Sequence, residues 1–598
     1  MKIIIDFKDP ANALITTSDK KNPHWETVNR IIKDIIPIDK ESPESLFLSW
    51  QLFLSFKEDL RNLAKIYSFE IILTDNAKLQ LQLNKKSGYY TAIKQPSANE
   101  DEIIERLTEK GWRHERELTF EQKRNVCKLI SLPAGATFSV PGAGKTTEAL
   151  AYYLYHANKD ERLLVVAPKN AFPAWDEQLA ECINTNDEFQ RLTGGYKNIK
   201  ATLKKNPKFT IIAYKQFSLV MNLMVEYLRS SSVFMFLDES HRIKGGSGKK
   251  TVDPILQLSF LPTRKLIMSG TPMPQSDVDL DPQISFLYPE LNLKKAPSIE
   301  LIQPIYVRTT KSELGLKEPI VIKKRVELTA SQQEFYGLLK SETARQINGI
   351  SRFTKANLRK IGKSVMRLMQ YVSNPALLAQ DVANTFSVEL SQVLIDGGSI
   401  KVDYACERAR QLARKGEKSI IWTCFVKNVE LIAMRLEDIG ADYIHGGVDA
   451  GDESEADTRE CKIKRFHDDV NAMVLVANPA AASEGISLHK ICHTAIYVDR
   501  SFNAAHYLQS VDRIHRLGLA PDKITNIEIL ECKNTIDEII YERLQKKVAR
   551  MAEVLNDSSL NINADEYAFE EDDILSAIGL EEKDAESIIT YLMDNAND

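Results

Sequence analysis

The chain has 598 residues, 43% hydrophobic and 27% charged, the composition of a soluble globular protein with too much chain for one core and enough for about three or four domains. It holds no run of about 18 apolar residues, which excludes a membrane span, and its start, Met1-Lys-Ile-Ile-Ile-Asp6, is too short and too soon charged for a secretory signal. The formal charge of −5 is local: from Asp565 to Asp598 twelve Asp or Glu face Lys583 alone, leaving 77 basic and 71 acidic residues elsewhere, so charge neither supports nor excludes nucleic acid as a partner.

Residues 1–115 read as a small α/β accessory module. After a strand-like start comes a helix entered at Ser42-Pro43, with Leu46, Phe47, Trp50, Phe53, Leu54, Leu60 and Leu63 on its apolar face. Two strands follow, Phe69-Glu-Ile-Ile-Leu73 and the alternating Leu79-Gln-Leu-Gln-Leu83. No chemistry is evident here, and packing or partner docking is the expected role.

Residues 116–310 read as the first of two larger α/β domains. Its landmark is Phe138-Ser-Val-Pro-Gly-Ala-Gly-Lys145-Thr146-Thr147, which follows the apolar run Ala136–Phe138 and opens into a helical pattern from Glu148. Strand, Gly-containing loop and helix are the context of a phosphate-binding loop. The loop Pro141-Gly142-Ala143-Gly144, through the backbone N–H groups of its last three residues and those of the helix start through Thr147, would surround the phosphates of ATP, Lys145 would reach the terminal ones and the Thr146 hydroxyl would bind magnesium. Ser139 stands where the general pattern has its first Gly, a tolerant position because Gly142 and Gly144 carry the tight part of the turn.

Strands Leu163–Ala167, Phe209–Ala213, Val233–Leu237 and Lys265–Met268 are continuous apolar runs between helical segments, the mark of a parallel sheet covered on both faces. One of them ends in Asp238-Glu239-Ser240-His241, where ligands sit in open parallel sheets. Asp238 can hold magnesium, and Glu239 can orient and deprotonate a water attacking the γ-phosphate. From 311 to 395 the strand signal disappears into long charged helical patterns. Alternation resumes over 396–535 with Ser419–Phe425, Ala472–Val476, Thr494–Val498 and Thr525–Leu530, and a helical extension (536–560) and an acidic tail (561–598) close the chain. The fold class is therefore α/β: two parallel-sheet domains in tandem, a helical insertion between them and a small α/β module in front.

Gln122, Ser139–Thr146, Asp238–His241, Ser269-Gly-Thr-Pro272 and Gln509-Ser-Val-Asp-Arg-Ile-His-Arg516 stand in the order of helicase superfamily two. Over about 116–550 the chain resembles the Swi/Snf family of DNA-translocating ATPases. The narrower marks are Ala167-Pro-Lys-Asn-Ala-Phe-Pro-Ala-Trp175-Asp-Glu, the Lys244 trailing Asp238–His241, Val307-Arg-Thr-Thr-Lys311 leading into Gln332 and Tyr336, Met366-Arg with Asn374-Pro375, and Asp499-Arg-Ser-Phe-Asn before Asp512–Gly518. The resemblance implies two RecA-like domains with ATP in their cleft. Gln122 would contact adenine, and Ser269, Thr271 and Gln509 would couple nucleotide state to domain movement. Ser483 and Gly485 would lie in a loop that touches the DNA backbone and ATP, and Arg513 and Arg516 would act as arginine fingers. Ala481-Ala482-Ser483-Glu484 departs from the glycine-rich start usual in that loop, and Leu519 from the Gln that commonly follows Gly518. These departures place the chain off the eukaryotic remodeller branch. A short chain without chromatin modules suggests a bacterial or mobile-element protein, and family analogy adds defence, repair or polymerase recycling as its expected setting.

Lys355, Arg359, Lys363 and Arg367 recur every four residues, a stripe for DNA phosphates or a merely solvated face. The tail reads as a flexible polyanion, with Ile574, Leu575, Ile588, Ile589 and Leu592 as short apolar clusters in a disordered or docking segment that would compete with DNA for basic surface. Seven cysteines without a Cys-x-x-Cys pair argue against a zinc site and fit a reducing cytoplasm. The function expected is ATP-driven translocation on double-stranded DNA. The alternatives are a strand-separating helicase on single-stranded DNA or RNA, and an ATP-dependent clamp serving a nuclease, modification or polymerase partner through the N-terminal module or the tail.

Overall fold

A computed structural model describes the chain apart from residues 10–11, 19–22, 36–37, 39, 43–44, 86–87, 95–98, 244–252, 275, 294–295, 348–354, 380–386, 396–397, 450–456, 483–486, 521, 558–559, 561–581 and 594–598. It divides into two units, Met1–Thr310 and Lys311–Asp598.

The first unit opens with a mixed sheet of β1 (Lys2–Asp9), β2 (Asn12–Thr17), β3 (Lys40–Ser42), β4 (Ser45–Leu48) and β5 (Glu70–Leu73), in the order β3-β4-β2-β1-β5. Alternation along β1 turns Ile3, Ile5 and Phe7 inward onto a core with Leu46, Leu48, Trp50 and Phe53. Two sequence readings change here. The helix expected from Ser42-Pro43 spans Trp50–Ile66 with Ser49 as its cap, because Ser45–Leu48 pairs with β2 as a strand. Leu79–Leu83 is not a strand: it lies in the helix Asp75–Lys85, where Ala77 and Leu81, four apart, meet the core and Leu79 is exposed. The helical period prevails over the two-residue one. The module is fastened to the rest of its unit by Phe7 edge-on to Phe260 and by Asn292 Nδ2 donating to Asp59 Oδ2 at 2.7 Å.

The second sheet of this unit is parallel throughout: β6 (Ala134–Thr137), β7 (Arg162–Val166), β8 (Gln190–Arg191), β9 (Phe209–Ile212), β10 (Val233–Asp238), β11 (Arg264–Met268) and β12 (Tyr306–Val307), ordered β12-β6-β11-β10-β7-β9-β8. Its register decides the site. Thr137 is level with Met268, Met268 with Asp238, and Leu237 with Val166. Four segments therefore leave the C-terminal edge of the sheet side by side.

The second unit carries another parallel sheet: β13 (Ile320–Val326), β14 (Lys418–Trp422), β15 (Asp442–Ile444), β16 (Val474–Ala477), β17 (Cys492–Tyr497) and β18 (Asn526–Cys532), ordered β13-β18-β17-β14-β16-β15. β13 corrects the expectation that 311–395 lacks a strand. Lys323, Lys324 and Arg325 break its apolar run, as suits an edge strand, and Lys323 reaches Glu531 on β18 at 3.3 Å. The helices Ala330–Ile347, Lys355–Ser373 and Ser387–Ile395 share one core with Ile536–Val554 and with a last helix, Glu582–Met593. That last helix corrects the reading of the whole tail as a solvated polyanion: Ala585, Ile588 and Leu592 are buried, Ile589 packs beside them, and Asp584 lies buried against Arg543 and Lys547. Ile574 and Leu575 fall outside the described residues. Among the described residues no helix is long and apolar enough to cross a membrane.

Candidate active site

β6, buried along its whole length, delivers the chain into the loop Phe138–Gly144, and the helix Lys145–His156 starts directly after it. Gly142 and Gly144 both have φ of +89°, the left-handed backbone that glycine adopts without strain. A Cβ at Gly144 would lie 2.2 Å from Gln122 Nε2, so the Gln122 amide would have to move from the loop. Pro141 is half-buried, Gly142 exposed and Ala143 buried. Lys145 Nζ donates to the Ser139 carbonyl at 2.8 Å, so the cation is folded over its own loop. Thr146 is half-buried in the first helical turn, whose N–H groups have no partner within the helix. Thr147 is fully buried, and its hydroxyl bonds Gln178 (2.8 Å) and Arg116 (3.2 Å), leaving its backbone amide for a phosphate.

Gln122 sits in the helix Phe120–Ile130, in a reciprocal cap with Thr119, and its Nε2 donates to the Ala143 carbonyl at 3.1 Å. Its amide thus braces the loop, with one donor and one acceptor valence left for a base.

At the end of β10, Asp238 is held from three directions. Trp175 Nε1 donates to its Oδ2 at 2.9 Å, the Glu239 amide to its Oδ1 at 3.0 Å, and the Tyr214 hydroxyl to its carbonyl at 2.7 Å. Burial raises the Asp238 carboxyl pKa, and the indole hydrogen bond opposes that shift. Glu239 takes a left-handed backbone (φ 50°, ψ 55°), a strained choice for a residue with a Cβ. Its Oε2 lies 3.4 Å from His241 Nδ1, which is also 2.8 Å from Ser269 Oγ, and Ser269 Oγ accepts the Thr271 amide at 3.1 Å. Gly270 between them lets this turn touch the phosphate loop: a Cβ would stand 3.1 Å from Pro141 Cδ and 3.8 Å from Lys145 Nζ. Lys145, Asp238–Glu239 and Ser269–Thr271 are thus gathered on one edge of one sheet. A cation, a fixed carboxylate and a second carboxylate beside a helix N-terminus can bind a polyphosphate and activate water against it.

Behind this edge lies a network that sequence reading missed. Glu148 is fully buried; Asn125 Nδ2 donates to its Oε1 (2.7 Å) and Thr137 Oγ1 to its Oε2 (2.6 Å), and burial pushes its pKa up to about 7. Ser139, the residue off the general loop pattern, joins the same network through Thr137 (3.2 Å) and the Thr309 amide (3.0 Å). The available signal was a carboxylate in the first turn of a helix apolar all round. Trp175 was read as a family mark without a role.

In the second unit, Gln509 is buried in the helix Ala504–Val511, and Arg513 and Arg516 follow in the turns beyond it. Arg513 Nε donates to the Gln509 carbonyl at 2.9 Å. Arg516 is half-buried near His489, whose pKa is lowered first by burial and then by that charge. Asp499 accepts from Thr423 Oγ1 and the Cys424 amide, both at 2.6 Å, which ties the ends of β17 and β14 together. Ser483, Gly485 and Lys244 lie outside the described residues. On the helix Lys355–Ser373, Arg359 and Lys363 are exposed and Arg367 is 3.9 Å from Glu342, while Ile361, Val365, Leu368 and Met369 are buried; the side chain of Lys355 is outside the description.

Residues 133–299 match the SNF2-related domain and residues 401–518 the helicase conserved C-terminal domain. The chain thus carries regions matching these two domain models in tandem. It is 23% identical over 452 residues to Protein CHROMATIN REMODELING 4 of Arabidopsis thaliana, covering 68% of this chain and 19% of that protein. It is 22% identical over 444 residues to the ISWI chromatin-remodeling complex ATPase ISW2 of Saccharomyces cerevisiae, covering 68% and 38%. Among solved structures it is similar to the Sulfolobus solfataricus SWI2/SNF2 ATPase core in complex with dsDNA, at 20% identity and a TM-score of 0.31, over 74% of this chain and 94% of that one. The chain spans between a fifth and two fifths of the length of these two curated relatives.

Proposed function

We propose that this chain is a Swi/Snf-type ATPase that hydrolyses ATP to move along double-stranded DNA. The observation that carries this reading is the level exit of β6, β11 and β10, which puts Lys145, Ser269–Thr271 and Asp238–Glu239 on one edge in a chain that also has a helicase C-terminal domain. In the reaction, the first-turn amides and Lys145 hold the β- and γ-phosphates. Glu239 accepts a proton from the attacking water. Arg513 and Arg516, from the second unit, neutralise charge as the phosphoryl group transfers, an effect worth about 10³–10⁵ in rate where such arginines act.

Thr146 Oγ1 and Asp238, two hard oxygen donors with a phosphate to complete the set, fit magnesium, which is commonly held through one or two carboxylates and substrate phosphates. When bound it would offset phosphate charge beside Lys145. Ser269 and Thr271, bonded through His241 to Glu239, would transmit nucleotide state within the first unit. Arg359 and Lys363 would meet backbone phosphates, which makes binding sequence-tolerant and strongly salt-dependent. A bacterial or mobile-element origin, a cytoplasmic location and a nuclease, modification or polymerase partner complete the proposal.

The test is the ATPase rate with duplex DNA, single-stranded DNA and RNA side by side. Strongest stimulation by duplex without unwinding of a forked substrate supports translocation. Stimulation by single strands with unwinding of the fork supports the strand-separating alternative instead.

A further inference from the structure

The segment joining the two units is bonded to the phosphate loop by more than strand pairing. β12 runs beside β6, and the ladder continues past both strands: the Phe138 amide donates to the Val307 carbonyl at 2.8 Å and the Val140 amide to the Thr309 carbonyl at 3.0 Å. Side chains then add what a ladder does not require. Ser139 Oγ accepts the Thr309 amide at 3.0 Å, and Asn125 Nδ2 donates to Thr309 Oγ1 at 2.9 Å. Arg308 donates to the Phe138 carbonyl, and Arg124 Nη2 to the Arg308 carbonyl at 2.8 Å. Asn125, Ser139, Thr309 and Glu148 are all buried, so these bonds are not diluted by water.

Two residues after Thr309, Lys311 opens the second unit and pairs with the buried Asp512, the neighbour of Arg513. Its Nζ also approaches the His515 carbonyl at 3.5 Å, beside Arg516. Two residues of chain reach at most about 7 Å, so a displacement beyond that slack at one end must move the other.

We propose that residues 307–311 are a tether that carries nucleotide state from the phosphate loop to the turn bearing Arg513 and Arg516, with Asn125, Ser139, Thr309 and Lys311 as positioning residues. The tether rests on the ATPase reading above. A phosphate that fixes Ser139 and Val140 fixes Thr309 with them, and Lys311 passes that restraint to the Asp512–Arg516 turn. The Ser at the first position of the loop is then a functional choice, since a Gly there could not accept from Thr309.

The experiment compares Thr309→Val, Thr309→Ser and Lys311→Met with the parent by three measurements: Kd for a fluorescent ATP analogue, kcat and KM with duplex DNA, and thermal midpoint. Thr309→Val and Lys311→Met are expected to lower kcat about tenfold or more, with Kd and KM within about threefold, as for an interaction felt in the transition state. Thr309→Ser restores kcat, and the double variant Thr309→Val/Lys311→Met falls no further than the worse single one, because both act on one path. Parent-like kcat in both single variants overturns the tether. So does a loss of Kd and thermal midpoint in step with kcat that Thr309→Ser does not rescue. A parent that binds the analogue but hydrolyses no ATP with any nucleic acid overturns the ATPase reading itself, and the tether with it.

Discussion

Trp175 Nε1 and Asp238 Oδ2 lie 2.9 Å apart, joining the helix Phe172–Cys182 to the end of β10. The indole has one polar atom and spends it on the carboxylate that would meet the metal-bound nucleotide. Burial raises the pKa of Asp238 and this bond lowers it. Trp175→Phe keeps an aromatic ring, though a smaller one, and removes the donor, so the carboxyl must titrate higher. A lost hydrogen bond to a charged group is worth about 1.5–3 kcal/mol, so kcat should fall by about 10- to 100-fold if the bond is felt in full in the transition state. The acid limb of the pH–rate profile should move to higher pH; an unmoved limb would show that the indole does not tune this carboxylate.

Glu239 combines a strained backbone with a contact to His241, and His241 with Ser269. Glu239→Gln keeps the shape and removes the base, so ATP binding persists while turnover stops. Lys145→Ala should lose hydrolysis as well, through the missing phosphate cation. The check is single-turnover hydrolysis after confirmed nucleotide binding, and turnover at the parent's rate by the Gln variant would reassign the base.

Arg516→Ala should leave the nucleotide Kd nearly unchanged and reduce DNA-stimulated kcat by about 10³ or more, the signature of a group that acts as charge develops. DNA-stimulated kcat at the parent's level in both Arg516→Ala and Arg513→Ala would remove the second unit from the chemistry.

The sequence revealed most about the site where chemistry needs adjacent residues. Lys145 and Thr146 follow a turn that only glycines relieve, and Asp238 and Glu239 end a wholly apolar run, so each pair is visible in a few letters. What stayed hidden depends on residues far apart in the chain. Asn125 meets Glu148 and Thr309 only because the helix Phe120–Ile130 lies behind the phosphate loop. The fold was legible in its buried parallel strands and illegible at edges: β13 carries three cations in a row, and β4 is four residues whose pairing with β2 is a long-range choice.

Glu148 gives the first unit a pH dependence whose sign follows from its buried carboxyl. Its pKa of about 7 lies above its ordinary 4.5, so the folded state keeps a proton that the unfolded chain releases. Stability from this group is therefore fully present below about pH 4.5 and is lost as pH rises toward 7, by about 3 kcal/mol in all. Glu148→Gln mimics the neutral acid and can still accept from Asn125. The variant should match the parent in thermal midpoint near pH 4.5 and exceed it increasingly up to pH 7. A constant difference between the two across that range would mean that Glu148 is ionised in the fold.

Asp584 overturns the idea of the tail as a salt-sensitive polyanion as far as the last helix is concerned. Its carboxylate is wholly buried, 2.6 Å from Arg543 Nε and 2.8 Å from Lys547 Nζ, and Lys547 also donates to the Phe502 carbonyl at 2.8 Å. Tyr591 adds a hydroxyl contact to Tyr336 at 3.0 Å, whose own hydroxyl accepts the Ile536 amide at 2.8 Å. An exposed tail held on a basic groove would loosen as the Debye length falls from about 10 Å at 0.1 M salt to about 3 Å at 1 M. A buried triad among Ala585, Ile588 and Leu592 has no solvent between its charges to screen them, so the helix Glu582–Met593 should stay docked across that range. Asp584→Ala leaves two buried cations without this carboxylate, a change that costs about 3–5 kcal/mol in comparable buried pairs. Hydrogen exchange of residues 582–593 should rise sharply in the variant at every salt concentration and stay low in the parent. Exchange in the parent that climbs with salt to the level of the variant would return this helix to the surface electrostatics expected from its composition.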